Sequence, residues 1–341
     1  MNPGSDRHGF AVATALFTIV VIGALAMGTL FAATQELRAG AGAIHQTRAV
    51  MAAELGIEQT IAGWRREWNG ALARGYGRSW TSSTIEGAQL VVGVTRLADD
   101  LFLITSEARA GPARRLVARA VRLDVRDPPV LAALVMVGAF DSTRITSDGS
   151  DHVPAQWDCP APGLAHPAIV VTDTATALRF GHFDWPELVG VANASLTVRV
   201  SGASPRASGE ECDTTVPENW GEPNRSNGGP CTGYFPVIHA PSDLVIDGGR
   251  GQGILLVEGN LTIQGGFDFT GVVLVRGAVI AGAGGGRITG TMSVAGQGAT
   301  TSSLDGISIE FSRCAARKAL LGIAMPEAVV ERSWSEWFSE Q

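Results

Sequence analysis

Lysine is nearly missing from this chain: of 26 basic residues only Lys318 is not arginine. That scarcity argues against a Schiff-base enzyme or a lysine-dependent phosphate loop. The net charge is −7 and no basic stripe is present, so nucleic acid is not the expected partner. Neither G-x-S-x-G nor H-E-x-x-H occurs, and His166, His182 and His239 are scattered, so no triad or zincin is indicated. The strings GRGQG and GAGGG complete no nucleotide-binding motif and read as corners between strands. No C-x-x-C pair exists, and Cys159, Cys212, Cys231 and Cys314 are spaced too widely for zinc. Asp148, Asp151 and His152 in SDGSDH match no calcium or zinc spacing and read as turn residues. The expectation is a non-enzymatic protein without catalytic residues, metal or cofactor.

One further absence is positional. From Phe10 to Ala33 there is no charged residue. As a helix this stretch is about 36 Å long, enough to cross a hydrocarbon layer of about 30 Å. Arg7 and His8 precede it, which favours a cytoplasmic N-terminus and an exported body.

Glycine, by contrast, is abundant at 43 residues, nearly double the average usage of about 7 per cent. The predicted organisation is α+β. A transmembrane and amphipathic helix spans 10–70, with a stripe of Ile44, Met51, Leu55 and Ala62, led by Leu37 and Ala41, set to cover one face of a sheet. After the turn ARGYGRSW, short alternating runs predict a three-stranded antiparallel meander within 71–127. An irregular, disulfide-stapled region follows over 128–241, opened by one short strand, VLAALVMV, at 130–137. Residues 242–314 carry apolar runs every eight to ten residues with glycine between them, which predicts a β-solenoid-like stack or a tight meander. A helical tail, 315–341, ends in an amphipathic turn bearing Val330, Trp334, Trp337 and Phe338.

The four thiols allow three pairings. Joining Cys212 to Cys231 would close the Pro/Gly/Asn-rich loop between them and leave Cys159 for Cys314; four reduced thiols are the alternative.

Gly9-Phe10 ahead of an apolar helix resembles the cleavage junction of type IV prepilins. Ala49, Ala52, Ala53, Glu54 and Gly56 are similar to the A-x-x-A-A-E-x-G segment of pilin-like helices. Over residues 7 to 64 the chain resembles PilX-type minor pilins, or pilus assembly proteins, of type IV pilus systems. Residues 235 to 335, with FSRCAARKAL and ERSW, resemble the closing part of some proteins that share that N-terminus.

The resemblance implies a leader, 1–9, removed by the prepilin peptidase between Gly9 and Phe10, and methylation of the new amine. It further implies anchoring in a bacterial inner membrane with a periplasmic body, entry into a pilus, and other pilin-like subunits and inner-membrane pilus assembly proteins as partners. Gly23, Ala24, Ala26 and Gly28 offer a face for close helix packing. One departure narrows the role: the fifth mature position, usually glutamate in major pilins, is Thr14. That suits a subunit at a filament tip or in a priming complex.

Two other readings fit parts of the sequence. A membrane-anchored adhesin would bind through Gly248–Gly253 and the Cys212–Cys231 loop. A carbohydrate-active enzyme would need a carboxylate pair at defined spacing, which is not visible.

Overall fold

The computed structural model describes residues 7–72, 74–85, 88–125, 131–138, 145–196, 198–224, 228–329 and 334–337. The chain is α+β. Helix α1 (Arg7–Ala62) runs unbroken for 56 residues, about 84 Å. It stops at Ala62, earlier than the expected residue 70. Gly63 follows its last turn, and the Trp64 indole donates to Asn69 Oδ1 at 2.8 Å, turning the chain into the short helix α2 (Trp68–Ala71).

Strands β1 (Gly77–Ile85), β2 (Ala88–Arg96), β3 (Leu101–Ala110) and β4 (Ala113–Leu123) form an antiparallel meander. It has four strands where three were expected, because β1 includes residues read as a glycine-rich turn. Two-residue alternation sends Leu90, Val92, Val94, Phe102, Ile104, Val117 and Val121 to the face beneath α1, all fully or almost fully buried.

The helix meets this face by the side opposite to the one expected. Ala49 and Ala53 are wholly buried, with Ala52, Gly56, Ile57 and Thr60 around them. Leu37, Ile44 and Met51 remain 73, 55 and 63% exposed. Close approach decides the choice. A Cβ on Gly56 would lie 2.5 Å from Ser106 Oγ, so only a face of small residues brings the rod this near to the sheet.

The short strand expected at VLAALVMV is present as β5 (Leu134–Val137), and the stretch expected to be irregular after it supplies strands β6 (Thr146–Asp148), β7 (Ile169–Thr172), β8 (Ala194–Ser195) and β9 (Arg199–Ala203). Helices α3 (Thr174–Ala177) and α4 (Trp185–Gly190) lie between β7 and β8, the latter opened by an Asp184/Glu187 capping box. A small hairpin of β10 (Ala207–Ser208) and β11 (Glu211–Cys212) precedes β12 (Val237–Ala240). Apart from β5, these strands are short and lie among prolines and turns, so periodicity within the region does not announce them. Strands β5, β6, β9 and β12 find partners in the glycine-rich part, whereas β7 pairs with β5, β8 with β12 and β10 with β11.

That part contains β13 (Leu244–Val257), β14 (Leu261–Gln264), β15 (Phe267–Val275), β16 (Val279–Ala281), β17 (Gly286–Val294) and β18 (Ile307–Phe311). Pairing is parallel throughout. Leu244 faces Leu261, Leu261 faces Val279, Val257 faces Val275 and Val275 faces Val294. Strand β13 bends at Gly248 and Gly249, both at positive φ; its first half lies between β9 and β14, its second between β12 and β15. At the outer end, β5 and β6 add to β17 and β18. Residues Ile254–Val257 are buried on both faces, which explains a continuous apolar run in place of alternation.

Three glycines stack in register across this sheet, Gly253, Gly271 and Gly290, with φ of 111°, 146° and 146°. Each lies against its neighbour's carbonyl, where a Cβ would collide with backbone.

Helix α5 (Arg313–Leu321), capped by Ser312 Oγ on the Ala315 amide, packs against β13, β15 and β17. The C-terminal segment then crosses to the meander. Strands β19 (Pro326–Ala328) and β20 (Trp334–Trp337) both pair antiparallel with β4. A strand therefore replaces the expected amphipathic turn at Trp334 and Trp337; Val330 and Phe338 lie outside the described residues. Exposed backbone on the β4 edge gives this segment a ladder, which local propensity does not weigh.

Candidate functional site

The predicted site residues fall into two groups on α1. Helical backbone already includes Gly9 and Phe10, so the proposed junction stands at the start of the rod. Thr14, Gly23, Ala24, Ala26 and Gly28 follow on a bare stretch; beyond the local turn of the helix itself nothing lies within 4 Å of a Cβ built on Gly23 or Gly28, and the Thr14 carbonyl accepts from Thr18 Oγ1 at 2.8 Å. Among the described residues, α1 is the one helix long and apolar enough to cross a membrane, and its apolar window is entirely exposed. The second group, Ala49, Ala52, Ala53 and Gly56, is spent on the chain's own sheet, while Glu54 points outward. Glu58, next to it, pairs with Arg119 of β4 and ties the rim of the rod to the meander.

Sequence reasoning ranked the large apolar residues first and missed that contact face. The signal was present in the spacing of 49, 52, 53, 56 and 60, all small except for the intervening Ile57. As a result Leu30, Leu37, Ile44 and Met51, each seven residues apart, form an outward stripe that the body leaves uncovered, with Leu55 beside it.

The meander and the parallel stack meet around a crevice of about 380 Å³ lined by Arg74, Asp99, Asp151, Asp158, Arg313 and Lys318. Its charges are matched within the chain. Lys318, the sole lysine, donates to Asp99 at 2.6 Å; Arg74 reaches Asp158 at 3.0 Å; Asp151 accepts from the Gly163 and Arg313 amides at 2.7 and 2.9 Å. Burial works to raise the Asp99 pKa, and the hydrogen bond and charge of Lys318, with Arg96 and Arg74, more than reverse this and leave it lowered. Asn69 closes the junction from beneath by donating to the Leu321 and Ala324 carbonyls at 2.8 and 2.9 Å. The arrangement holds the two bodies together.

Cys159 is joined to Cys314 and Cys212 to Cys231. The first bond ties the loop after Trp157 to α5. The second closes a loop that folds inward: Trp220 is fully buried against Phe267 and Phe269, and Gln252 Nε2 donates to the Thr232 and Tyr234 carbonyls at 3.0 and 2.8 Å. This corrects part of the binding edge expected for an adhesin: Gly251 lies under Trp220 of that loop and Gly253 under Pro236 just beyond it, while Gly249 and Arg250 stay exposed.

Asp148 accepts from the Ser150 amide at 2.8 Å and contacts His152 Nε2 at 2.7 Å, so the SDGSDH turn is closed by its own side chains. His239 lies 3.5 Å from Glu258, and His166 and His182 lie against Phe311 and Phe183 with their rings tilted by 39° and 35°. The structure brings none of these histidines together.

A groove that the sequence did not announce runs between the end of α1 and β1. About 410 Å³ in volume, it is lined by Thr60, Arg65, Trp68, Arg78, Trp80 and Ser82. It was missed because Gly77–Trp80 read as a turn.

No family model and no curated protein matches the chain. Among solved structures, the chain is similar to the competence-associated pilin ComZ from Thermus thermophilus, at 12% identity over 86% of this chain and 98% of that one. The TM-score is 0.25, too low for the likeness to carry an assignment.

Proposed function

We propose that this chain is a minor pilin-like subunit, acting without catalysis in the assembly or at the tip of a type IV pilus or a related filament. The observation that supports it most is the division of labour along α1. An apolar segment long enough for a bilayer continues without a break into a half whose Ala/Gly face grips an antiparallel sheet and whose outer stripe is free. In this reading the helix is inserted in the inner membrane with the body in the periplasm. The prepilin peptidase cuts between Gly9 and Phe10, the new amine is methylated, and Gly23, Ala24, Ala26 and Gly28 pack against helices of neighbouring subunits. The stripe Leu30–Leu37–Ile44–Met51 extends that seam beyond the membrane.

We read the parallel stack of 242–314, with β5, β6, β8, β9 and β12 added to it, as a β-solenoid carried by the pilin-like unit. Thr14 in place of the usual glutamate fits a subunit with no neighbouring amine to neutralise.

Recovery in the pilus fraction tests the seam. Ile44→Glu with Met51→Glu should lower co-purification with other pilins by roughly tenfold, equivalent to about 1.4 kcal/mol. The body should fold unchanged, because both residues are exposed. Undiminished co-purification would remove the seam from the account.

A further inference from the structure

The two edges of the meander are treated differently. The β4 edge is closed by the chain's own C-terminal strands, whereas among the described residues β1 pairs only with β2 and its other side carries no strand. From Gly77 to Ser82 the open edge holds no proline and a single charge, Arg78, so it lacks the usual devices that keep an edge from pairing, until the register breaks between Ser82 and Ile85. Alternate amides and carbonyls of β1 are therefore available for a further ladder.

Beside this edge lies the groove of Trp68, Trp80, Arg65 and Arg78. The two indoles stand 5.5 Å apart at 30°, and the Arg65 guanidinium sits 6.0 Å from the Trp68 ring. No carboxylate lines the groove, and neither Arg65 nor Arg78 has a carboxylate partner among the described residues. Unmatched positive charge here contrasts with the matched crevice between the meander and the parallel stack.

The closed edge shows what sort of strand such a surface accepts. Strand β4 is rich in arginine, and the strands laid on it are acidic and aromatic: Glu327 is in register with Arg122 and Trp334 with Arg119. We infer that the β1 edge is a docking site for an extended strand of another polypeptide that carries an acidic and an aromatic residue two positions apart, on the same face. It would add antiparallel or parallel to Gly77–Ser82, set an aromatic side chain in the Trp68/Trp80 groove and place a carboxylate against Arg78. This surface is separate from the helix seam and does not depend on the filament reading.

A fluorescein-labelled peptide with the sequence of residues 331–341, ERSWSEWFSEQ, is the probe, titrated by anisotropy against the detergent-solubilised full chain. Saturable binding is expected, weakened by about tenfold or more by Arg78→Glu and restored by a probe with its glutamates changed to lysine. Trp80→Ala should weaken it as well, but Arg78 is exposed and its variant carries the test without risk to folding. N-methylation of alternate amides of the probe should abolish binding in one register and spare it in the other. Absence of binding, or binding indifferent to both Arg78→Glu and N-methylation, would overturn the proposal. So would binding lost only on Arg122→Glu, which would mean that the probe had displaced β20 from β4.

Discussion

Gly56 of α1 lies directly over Ser106 of β3, with room for a hydrogen and not for a methyl group. Ser106 Oγ is buried there without a hydrogen-bond partner. The pair sets the distance between rod and sheet, and so the geometry by which the body hangs from its helix.

Gly56→Ala should therefore destabilise the body by about 1–3 kcal/mol, as overpacking of a dense contact does. Ser106→Ala should be neutral or stabilising, because it removes an unsatisfied hydroxyl. The double variant should recover part of the loss. Denaturant unfolding of the three variants checks the order; additive losses would show that the two sites do not touch.

Gly271 stands in the middle of the three-glycine ladder. Gly271→Ala forces a side chain into φ 146° and into the carbonyl of Gly253, and should cost about 3 kcal/mol. Gly266→Ala, in a turn with open space around its Cβ position, should cost less, about 1 kcal/mol for its positive φ alone. Melting temperatures compare the two directly.

The two disulfides span 155 and 19 residues. If they act chiefly by restricting the unfolded chain, Cys159→Ser with Cys314→Ser should cost about 5 kcal/mol and Cys212→Ser with Cys231→Ser about 3 kcal/mol. Urea unfolding under non-reducing conditions gives the ranking, and equal losses would point to local packing in place of chain entropy.

Asp148 supplies a pH dependence. The Ser150 amide first, and then His152, lower its pKa from 3.8 to about 2. A depressed carboxyl contributes fully above its unfolded value, and the contribution drains away as pH falls through 3.8 towards 2. Asp148→Asn should be less stable than the parent near neutrality, and the two should converge below about pH 2. Unfolding midpoints across that range decide.

Much of this architecture is legible in the residues. Phe10–Ala33 declares its length and lack of charge, and alternation in 88–123 declares strands. What escapes reading depends on distant partners. Ala49, Ala53 and Gly56 form the contact face because Ser106 is beneath them, while simple hydrophobic ranking favours Ile44 and Met51. Trp334–Trp337 is a strand because β4 offers an edge. Strands β9 and β12 exist because β13 runs beside them, and nothing within 128–241 marks them. The groove at Trp80 was hidden by the glycines of GYGRSW, which read as a turn although β1 begins at Gly77.

The central claim concerns the start of α1. Intact-mass and N-terminal mass spectrometry of the protein from cells with an active prepilin peptidase should find a chain that begins at Phe10 with a methylated amine and lacks residues 1–9. A chain that keeps those residues in such cells would contradict the account.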